Sequence, residues 1–316
     1  MTNRILYTNG QGEFAETVYD KPPVGEYEIE VRSVLTGVCR SDVDMMTGSF
    51  GPLPLNMSGH EGLGQVTAVG KGIYDIKIGD YVATRGEPAY ADSYNVRINE
   101  FVRVPSAEPK YILEPVACGI NIIQQPIREI AERSGPGKRL VILGSGFLAW
   151  VAYNTIKLLH LDFDITVVGH SNKDLWGSVL KDAAKVGHSN KELWSSVLKD
   201  TAEGTYDVVI DLSGNTNVFE SDMVNAEALI VFGAQKMLTT DFSNVLWKAC
   251  TVIFPSPRTK RFIQCMEDAA YWIEMGDLVV DSFWTKGYNR DTEWQNAFRD
   301  SLTRPENYSR GYIYWK

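Results

Sequence analysis

Residues 139–149 read RLVILGSGFLA, an apolar strand that runs into a G-x-G-x-x-A turn. A helix-like stretch follows over residues 150–159, and residues 163–168, FDITVV, form a second apolar strand. Strand, glycine-rich turn, helix and strand within about 30 residues make the βαβ unit that binds dinucleotides. The glycines let the backbone approach a pyrophosphate, whose charge the helix N-terminus stabilises. The stretch therefore predicts a dinucleotide-binding unit near the middle of the chain.

Further apolar strands follow this unit at residues 206–211, 228–232 and 251–254. Continuous apolar strands are typical of a parallel sheet that is covered on both faces. Residues 1–110 differ, because short strands such as 27–34 alternate with period two between turns rich in Gly and Pro. That pattern predicts a barrel-like β domain. The chain is therefore expected to be α/β, with two domains.

A tandem duplication interrupts the second half of the chain. Residues 168–185 recur at 186–203, and 14 of the 18 positions are identical. In one interpretation the first copy ends the second strand and supplies its following helix, while the second copy supplies a weaker third strand and helix. In the other, the duplication is accommodated as a surface helix. Two short copies do not make a solenoid.

Composition and charge exclude several classes of protein. The chain has 316 residues and a formal net charge of −9, which argues against a nucleic-acid or anionic-membrane partner. Its four cysteines, Cys39, Cys118, Cys250 and Cys265, are too far apart to suggest a disulfide framework. The N-terminus has no apolar signal core, and no run of about 18 apolar residues occurs. We therefore expect a cytoplasmic protein without a membrane span.

Residues 39–61 bring together the side chains of a metal site. Cys39 begins the stretch, and Gly59-His60-Glu61 ends it after a run rich in Gly and Pro. A thiolate, an imidazole and a carboxylate suit zinc, and three protein ligands with an open position suit catalytic zinc. The alternatives are that Cys39 is an inert buried residue and that Glu61 only supports a ligand.

Five stretches together resemble the zinc-dependent medium-chain dehydrogenase/reductase superfamily. They are residues 37–42 (GVCRSD), 59–62 (GHEG), 69–82, 113–115 (LEP) and the turn at 144–149, in the order that this superfamily has. The LEP segment is similar to that of the polyol and glucose dehydrogenase branches, in which a glutamate replaces a cysteine ligand of typical alcohol dehydrogenases.

The resemblance implies two domains. A GroES-like, β-rich catalytic domain would comprise residues 1–117 and 258–316, with a terminal strand at 311–315 that returns to it. A Rossmann-like, doubly wound parallel-sheet coenzyme domain would comprise residues 118–257 and contain the duplication. The resemblance also implies one catalytic zinc bound by Cys39, His60 and either Glu61 or Glu114. A structural zinc is not expected, because residues 80–110 contain no cysteine.

The same resemblance assigns the proton path and the cofactor site. Ser41 would pass on the proton of the alcohol, and Asp44 stands where a relay histidine is expected. Ser171-Asn172-Lys173 replaces the acidic residue that binds the ribose of NAD, so NADP(H) is favoured. The predicted cofactor-binding residues are Arg40, Gly144, Gly146, Phe147, Leu148, Ser171, Asn172, Lys173, Ser213 and Gly233.

The function implied is hydride transfer between a nicotinamide cofactor and a small alcohol, polyol or aldehyde. A homodimer or homotetramer is expected, since both are common in the superfamily. One alternative is a zinc-free quinone or enone reductase of the same superfamily, which would lack the ligands at Cys39, His60 and Glu61. Another is a non-enzymatic relative that retains the fold.

Overall fold

The computed structural model describes residues 3–49, 51, 54–169, 176, 197–214, 217–233 and 240–315. The chain divides into two compact units. The first comprises Met1–Val116, Met266–Glu274 and Val280–Lys316, and the second comprises Ala117–Cys265 and Met275–Val279. None of the described helices is both long and apolar enough to cross a lipid bilayer.

Fifteen strands and seven α-helices are described. The strands are β1 (Arg4–Tyr7), β2 (Ala15–Val18), β3 (Glu28–Gly37), β4 (Gly62–Val69), β5 (Tyr81–Thr84), β6 (Ser93–Arg97), β7 (Phe101–Val104), β8 (Arg139–Leu143), β9 (Asp164–Val168), β10 (Leu198–Lys199), β11 (Tyr206–Asp211), β12 (Val224–Phe232), β13 (Thr251–Ile253), β14 (Trp284–Asn289) and β15 (Arg310–Tyr314). The helices are α1 (Arg40–Met46), α2 (Glu114–Gln124), α3 (Ile127–Ala131), α4 (Phe147–Leu158), α5 (Ser243–Trp247), α6 (Phe262–Met275) and α7 (Trp294–Thr303). Short 3-10 turns lie at Leu55–Met57, Pro109–Tyr111 and Asp281–Phe283.

The second unit contains a six-stranded sheet in the order β10-β9-β8-β11-β12-β13. Every pairing in it is parallel. This is the doubly wound order, in which ligands bind at the carboxyl edge where the strand order reverses, between β8 and β11. Strands β8 and β11 have the bounds predicted from sequence, and α4 begins at Phe147, directly after the glycine turn. The predicted parallel α/β sheet is confirmed.

Most of the duplicated segment lies outside the described residues, including both copies of the Ser-Asn-Lys trio. Trp176, in the first copy, is buried and meets Trp150 of α4 edge to face at 5.1 Å. Its indole N–H donates to the Ser145 carbonyl at 2.9 Å. Strand β10 lies at the end of the second copy and pairs with β9. The interpretation of the rest of the second copy stays a prediction.

The first unit is built on a sheet in the order β14-β15-β3-β4-β5-β7, with β6 also paired to β3. Strand β3 alternates buried and partly buried residues over most of its length, as its period-two pattern predicts. Strand β15 pairs antiparallel with β3, setting Tyr312 opposite Gly37. The terminal strand therefore returns to the first unit, as predicted. It also brings the start of β15 beside the end of β3.

A buried polar cluster ties α7 to β14. Asp300 of α7 accepts hydrogen bonds from Lys286 Nζ at 2.7 Å and from Tyr288 Oη at 2.8 Å. Burial would raise the pKa of Asp300, but the hydrogen bonds from Lys286, Tyr288 and Arg299 outweigh burial, and the pKa is lowered. A lowered pKa means that the carboxylate stabilises the fold above its unfolded pKa, near 3.8. This contribution is lost as the pH falls through the folded pKa.

Asp300→Asn is therefore expected to lower the free energy of unfolding at pH 7 by roughly 1.5–3 kcal/mol, since a charged, buried acceptor is lost. The difference from wild type should shrink as the pH falls from about 4 through the lowered pKa of Asp300, below which the wild-type carboxylate is neutral too. Urea denaturation at several pH values measures both effects. Asp164→Asn is the control, because its side chain is 74% exposed and it should change stability little. A difference that stays constant with pH would contradict the assignment.

Candidate metal centre

Sheet register in the first unit brings the predicted ligands together. Cys39 lies two residues after β3, and His60 and Glu61 directly precede β4. Antiparallel pairing sets Thr36 near the end of β3 opposite Gly62 at the start of β4. As a result, one potential ligand atom from each of Cys39, His60 and Glu61 lies within 4.8 Å of the others. A thiol, an imidazole and a carboxylate at this spacing can share one metal ion.

Gly37 and Gly59 allow the residues of the site to pack this closely. A Cβ at Gly37 would overlap Glu61 Oε2, so a side chain there would push the carboxylate away. Gly59 has a φ of 78° and a Cβ there would come within 2.7 Å of the Tyr90 ring. Both the left-handed backbone and the close contact favour glycine at this position. Substitution at either glycine would displace a residue of the site.

The electrostatics of the site are those of a cation site. Burial, followed by the charge of Glu61, raises the pKa of the Cys39 thiol. Burial lowers the pKa of His60, but the hydrogen bond with Cys39 and the charge of Glu114 outweigh it and raise that pKa well above its usual value. A metal ion among these donors would reverse the effect on the thiol, because a coordinating thiol is deprotonated. The donor set therefore fits a divalent cation.

Asp42 lies next to two of the candidate ligands, Cys39 and His60. It is buried, and its Oδ2 accepts hydrogen bonds from the Cys39 N–H at 2.8 Å and from Tyr90 Oη at 2.7 Å. Its Oδ1 is buried without a hydrogen-bond partner among the described residues and lies 3.9 Å from His60 Nδ1. Histidines that bind metal usually donate their other ring N–H to a carboxylate. Asp42 Oδ1 is thus placed to accept a hydrogen bond from the His60 Nδ1–H when His60 Nε2 binds a metal ion.

Two glutamates compete for the third ligand position. Glu61 is 1% exposed, and both of its oxygens accept hydrogen bonds from Arg310 Nη2, at 2.6 and 2.5 Å. Arg310 is the first residue of β15, and it reaches Glu61 because β15 pairs with β3. Glu114, the first residue of α2, is buried and acts electrostatically on His60, but it lies outside the group of three. The choice between Glu61 and Glu114 stays open.

The two residues predicted to carry the proton lie in different surroundings. Ser41 Oγ is 3.5 Å from His60 Nε2 and therefore borders the site. Asp44 lies one turn of α1 beyond Arg40, and its carboxylate accepts a hydrogen bond from Arg40 Nε at 3.2 Å. Arg40 itself is about half exposed. Ser41 is thus beside the ligands, whereas Asp44 is engaged by Arg40.

The predicted cofactor residues of the second unit gather at the carboxyl edge of its sheet. Gly144 follows β8 with a φ of 115°, and a Cβ there would press on the Leu212–Ser213 backbone at 3.3 Å. Ser213 follows β11 and donates from both N–H and Oγ to Asp211 Oδ1 at 2.9 Å. The others described are Gly146, Phe147 and Leu148 at the start of α4, and Gly233 after β12. Ser171, Asn172 and Lys173 lie outside the described residues.

Sequence reasoning missed three residues of the metal centre. Asp42 had a usable signal, because it stands three residues after Cys39, where a carboxylate can accept the N–H of a helix N-cap residue. Tyr90 and Arg310 had none, since they lie 48 residues from Asp42 and 249 residues from Glu61 along the chain. Only the strand register brings them to the site.

Comparison with known proteins points to dehydrogenases. Residues 25–105 match the family described as the alcohol dehydrogenase GroES-like domain. NADP-dependent alcohol dehydrogenase 6 of Saccharomyces cerevisiae is 26% identical over 170 residues, which cover 42% of this chain and 46% of the yeast protein. The chain spans about half the length of the curated relatives it matches.

Solved structures that match over essentially the whole chain include the following two. An Escherichia coli oxidoreductase/dehydrogenase of unknown specificity, involved in membrane biogenesis, aligns with a TM-score of 0.74 and 20% identity over 100% of both chains. A protein of Sinorhizobium meliloti 1021, described as a zinc-binding dehydrogenase and solved with NADP bound, aligns with a TM-score of 0.70 and 15% identity over 99% of both chains. At these identities the likeness shows the fold, a GroES-like domain with a Rossmann-like sheet.

Proposed function

This chain belongs to the medium-chain dehydrogenase/reductase superfamily, and we propose that it is a zinc-dependent oxidoreductase. It would transfer a hydride between NADP(H) and an alcohol, polyol or aldehyde. The observation that carries the proposal is the group formed by Cys39, His60 and Glu61, whose ligand atoms lie within 4.8 Å of one another. A thiolate, an imidazole and a carboxylate are zinc ligands, and three of them leave a position for substrate.

In this proposal Cys39, His60 and one of Glu61 and Glu114 hold a single zinc. A bound zinc would act as a Lewis acid on the substrate oxygen. Asp42 would hold the His60 proton at Nδ1, so that Nε2 faces the metal. Arg310 would neutralise the part of the Glu61 charge that the metal does not neutralise, and it would hold that carboxylate in place.

The substrate proton would leave through Ser41. Its Oγ lies 3.5 Å from His60 Nε2 and is thus beside the proposed ligands. A serine hydroxyl can accept one proton while it donates its own, so its high intrinsic pKa is no obstacle to a relay. Asp44 is the next candidate for the proton path. It is a weaker candidate than Ser41, because its carboxylate is already hydrogen-bonded to Arg40.

Two observations support NADP(H) as the cofactor. The segment Ser171-Asn172-Lys173 offers hydrogen-bond donors and a positive charge where an acidic residue would repel a 2′-phosphate. A yeast relative is NADP-dependent, and a neighbouring structure binds NADP. Arg40 would contact the pyrophosphate, and the glycines at 144 and 146 would let the cofactor approach the backbone.

The experiment is a screen of alcohols, polyols, aldehydes and enones with NAD(H) and NADP(H), together with zinc analysis of the same sample. We expect one zinc per chain and turnover of at least one alcohol or aldehyde. NADP(H) should be preferred by roughly tenfold or more, the equivalent of about 1.4 kcal/mol. Turnover of an enone by zinc-free protein would instead favour the quinone or enone reductase. Cofactor binding without any turnover would favour a non-enzymatic relative.

The proposal also includes a homodimer or homotetramer in the cytoplasm. The superfamily resemblance supports the oligomer. The four scattered cysteines, which do not suggest a disulfide framework, support the cytoplasmic location. Light scattering on the purified, reduced protein measures the number of chains. A monomer at the concentration used for the activity assay would contradict the oligomeric part of the proposal.

A further inference from the structure

The strongest unassigned feature of the first unit is the phenol of Tyr90. Its side chain is 0% exposed, and its hydroxyl donates to Asp42 Oδ2 at 2.7 Å, with Gly37 O as a longer second acceptor at 3.2 Å. We propose that Tyr90 is a positioning residue of the metal centre, which acts through Asp42 on His60. The proposal rests on the proposed function, because it concerns the same metal.

The hydrogen bonds to Asp42 explain how the phenol would act. Oδ2 accepts from two donors of fixed position, the Tyr90 hydroxyl and the Cys39 N–H. These two bonds fix the plane of the carboxylate, so Oδ1 is the oxygen that faces His60 Nδ1, at 3.9 Å. Without the phenol, Oδ2 would keep only the bond from Cys39, and the carboxylate could rotate. The orientation of the imidazole would then be less well defined.

The phenol is itself held rigidly. Phe14 and Phe298 meet its ring edge to face, with centroid distances of 5.9 and 5.3 Å. The Tyr90 N–H donates to Ser58 O at 3.2 Å, and Gly59 has no Cβ that would strike the ring. One residue therefore contacts both the carboxylate behind His60 and the backbone that leads into His60. A positioning role needs this rigidity, because a mobile donor would not fix its acceptor.

Tyr90→Phe removes the hydroxyl and keeps the ring against the stacked pair Phe14 and Phe298. We expect the zinc affinity, measured by competition with a chelator, to fall by roughly 10- to 100-fold, as for other residues that orient a metal ligand. The d–d bands of the cobalt-substituted protein should also change, because the imidazole ligand is reoriented. The far-UV circular dichroism should not change.

Tyr94→Phe is the matched control. Tyr94 is also 0% exposed, and its hydroxyl shares a buried hydrogen bond of 2.6 Å with Thr84 Oγ1 rather than with Asp42. This variant loses a comparable bond and should keep the wild-type zinc affinity and cobalt spectrum. Equal losses of affinity in both variants would overturn the proposal, because a general loss of packing would then explain them.

A double-mutant cycle tests whether the effect passes through Asp42. In an Asp42→Asn background, adding Tyr90→Phe should weaken zinc binding by no more than about twofold, since the carboxylate it orients is already gone. Independent, additive losses would overturn the proposal, and so would wild-type affinity in folded Tyr90→Phe.

Should Tyr90→Phe not fold, wild-type zinc affinity in Asp42→Asn would overturn it, and a loss of 10-fold or more would support it. If the wild-type protein binds no zinc, the proposed function fails first, which separates the two failures.

Discussion

Cys39→Ser is expected to remove the bound zinc and to lower kcat/KM by roughly 10³-fold or more, because Lewis-acid stabilisation of several kcal/mol is lost. Serine keeps the size and the helix-capping position of the residue. It does not supply the thiolate that makes this ligand set selective for zinc. Burial and the charge of Glu61 already disfavour an anion at this position, so a hydroxyl would not ionise in its place.

The measurement is zinc content by atomic spectroscopy, with steady-state kinetics on the same sample. Cys250→Ser is the control, because Cys250 lies in the second unit, where its partly buried thiol donates to the Asn225 carbonyl at 3.7 Å. The control should keep both zinc and activity. Undiminished zinc and activity in Cys39→Ser would contradict the assignment of the ligand.

The second large effect is expected at Arg310. Arg310→Met should destabilise the metal-free protein by roughly 3–5 kcal/mol, because one partner of a buried ion pair is removed and the other is left uncompensated. Glu61 is 1% exposed, and both of its oxygens accept hydrogen bonds from Arg310 Nη2. Methionine fills similar space without a charge. The metal-free sample is the appropriate one, since a bound cation could take over part of the Glu61 charge.

Urea denaturation in the presence of a chelator measures this effect. Arg128→Met is the control, because Arg128 is 85% exposed and pairs with Glu132 across one turn of helix. It should cost less than about 1 kcal/mol, as exposed pairs do. A loss at Arg310 no larger than that at Arg128 would mean that the Glu61 carboxylate is neutral or solvated in the folded protein.

The fold of the second unit can be predicted from sequence because the patterns that indicate its strands and its glycine turn are local. An apolar strand before a glycine turn indicates where the strand lies, and β8 and β11 have the predicted bounds. Helix α4 begins at Phe147, three residues before the predicted start at 150. Parallel strands covered on both faces are read directly as apolar runs. The end of β3 was less clear, because it continues three residues past the predicted 34 to Gly37, where a small residue is needed against Glu61.

The metal centre was predictable only in part. The pattern of Cys39, His60 and Glu61 suggests a candidate site before the fold is known, because a thiolate, an imidazole and a carboxylate together suit zinc. The residues that support them could not be found this way. Tyr90 and Arg310 are a phenol and a guanidinium of ordinary sequence context, and their roles depend on sheet register and on burial. The question of which glutamate binds metal is likewise one of geometry, not of sequence.

Zinc K-edge X-ray absorption of the wild-type protein tests the central claim most directly, because it reports the atoms bound to the metal. The account predicts a single sulfur ligand, from Cys39, at about 2.3 Å, with nitrogen and oxygen ligands at about 2.0–2.1 Å. Protein that binds no zinc, a first shell without sulfur, or a shell of four sulfurs would contradict it.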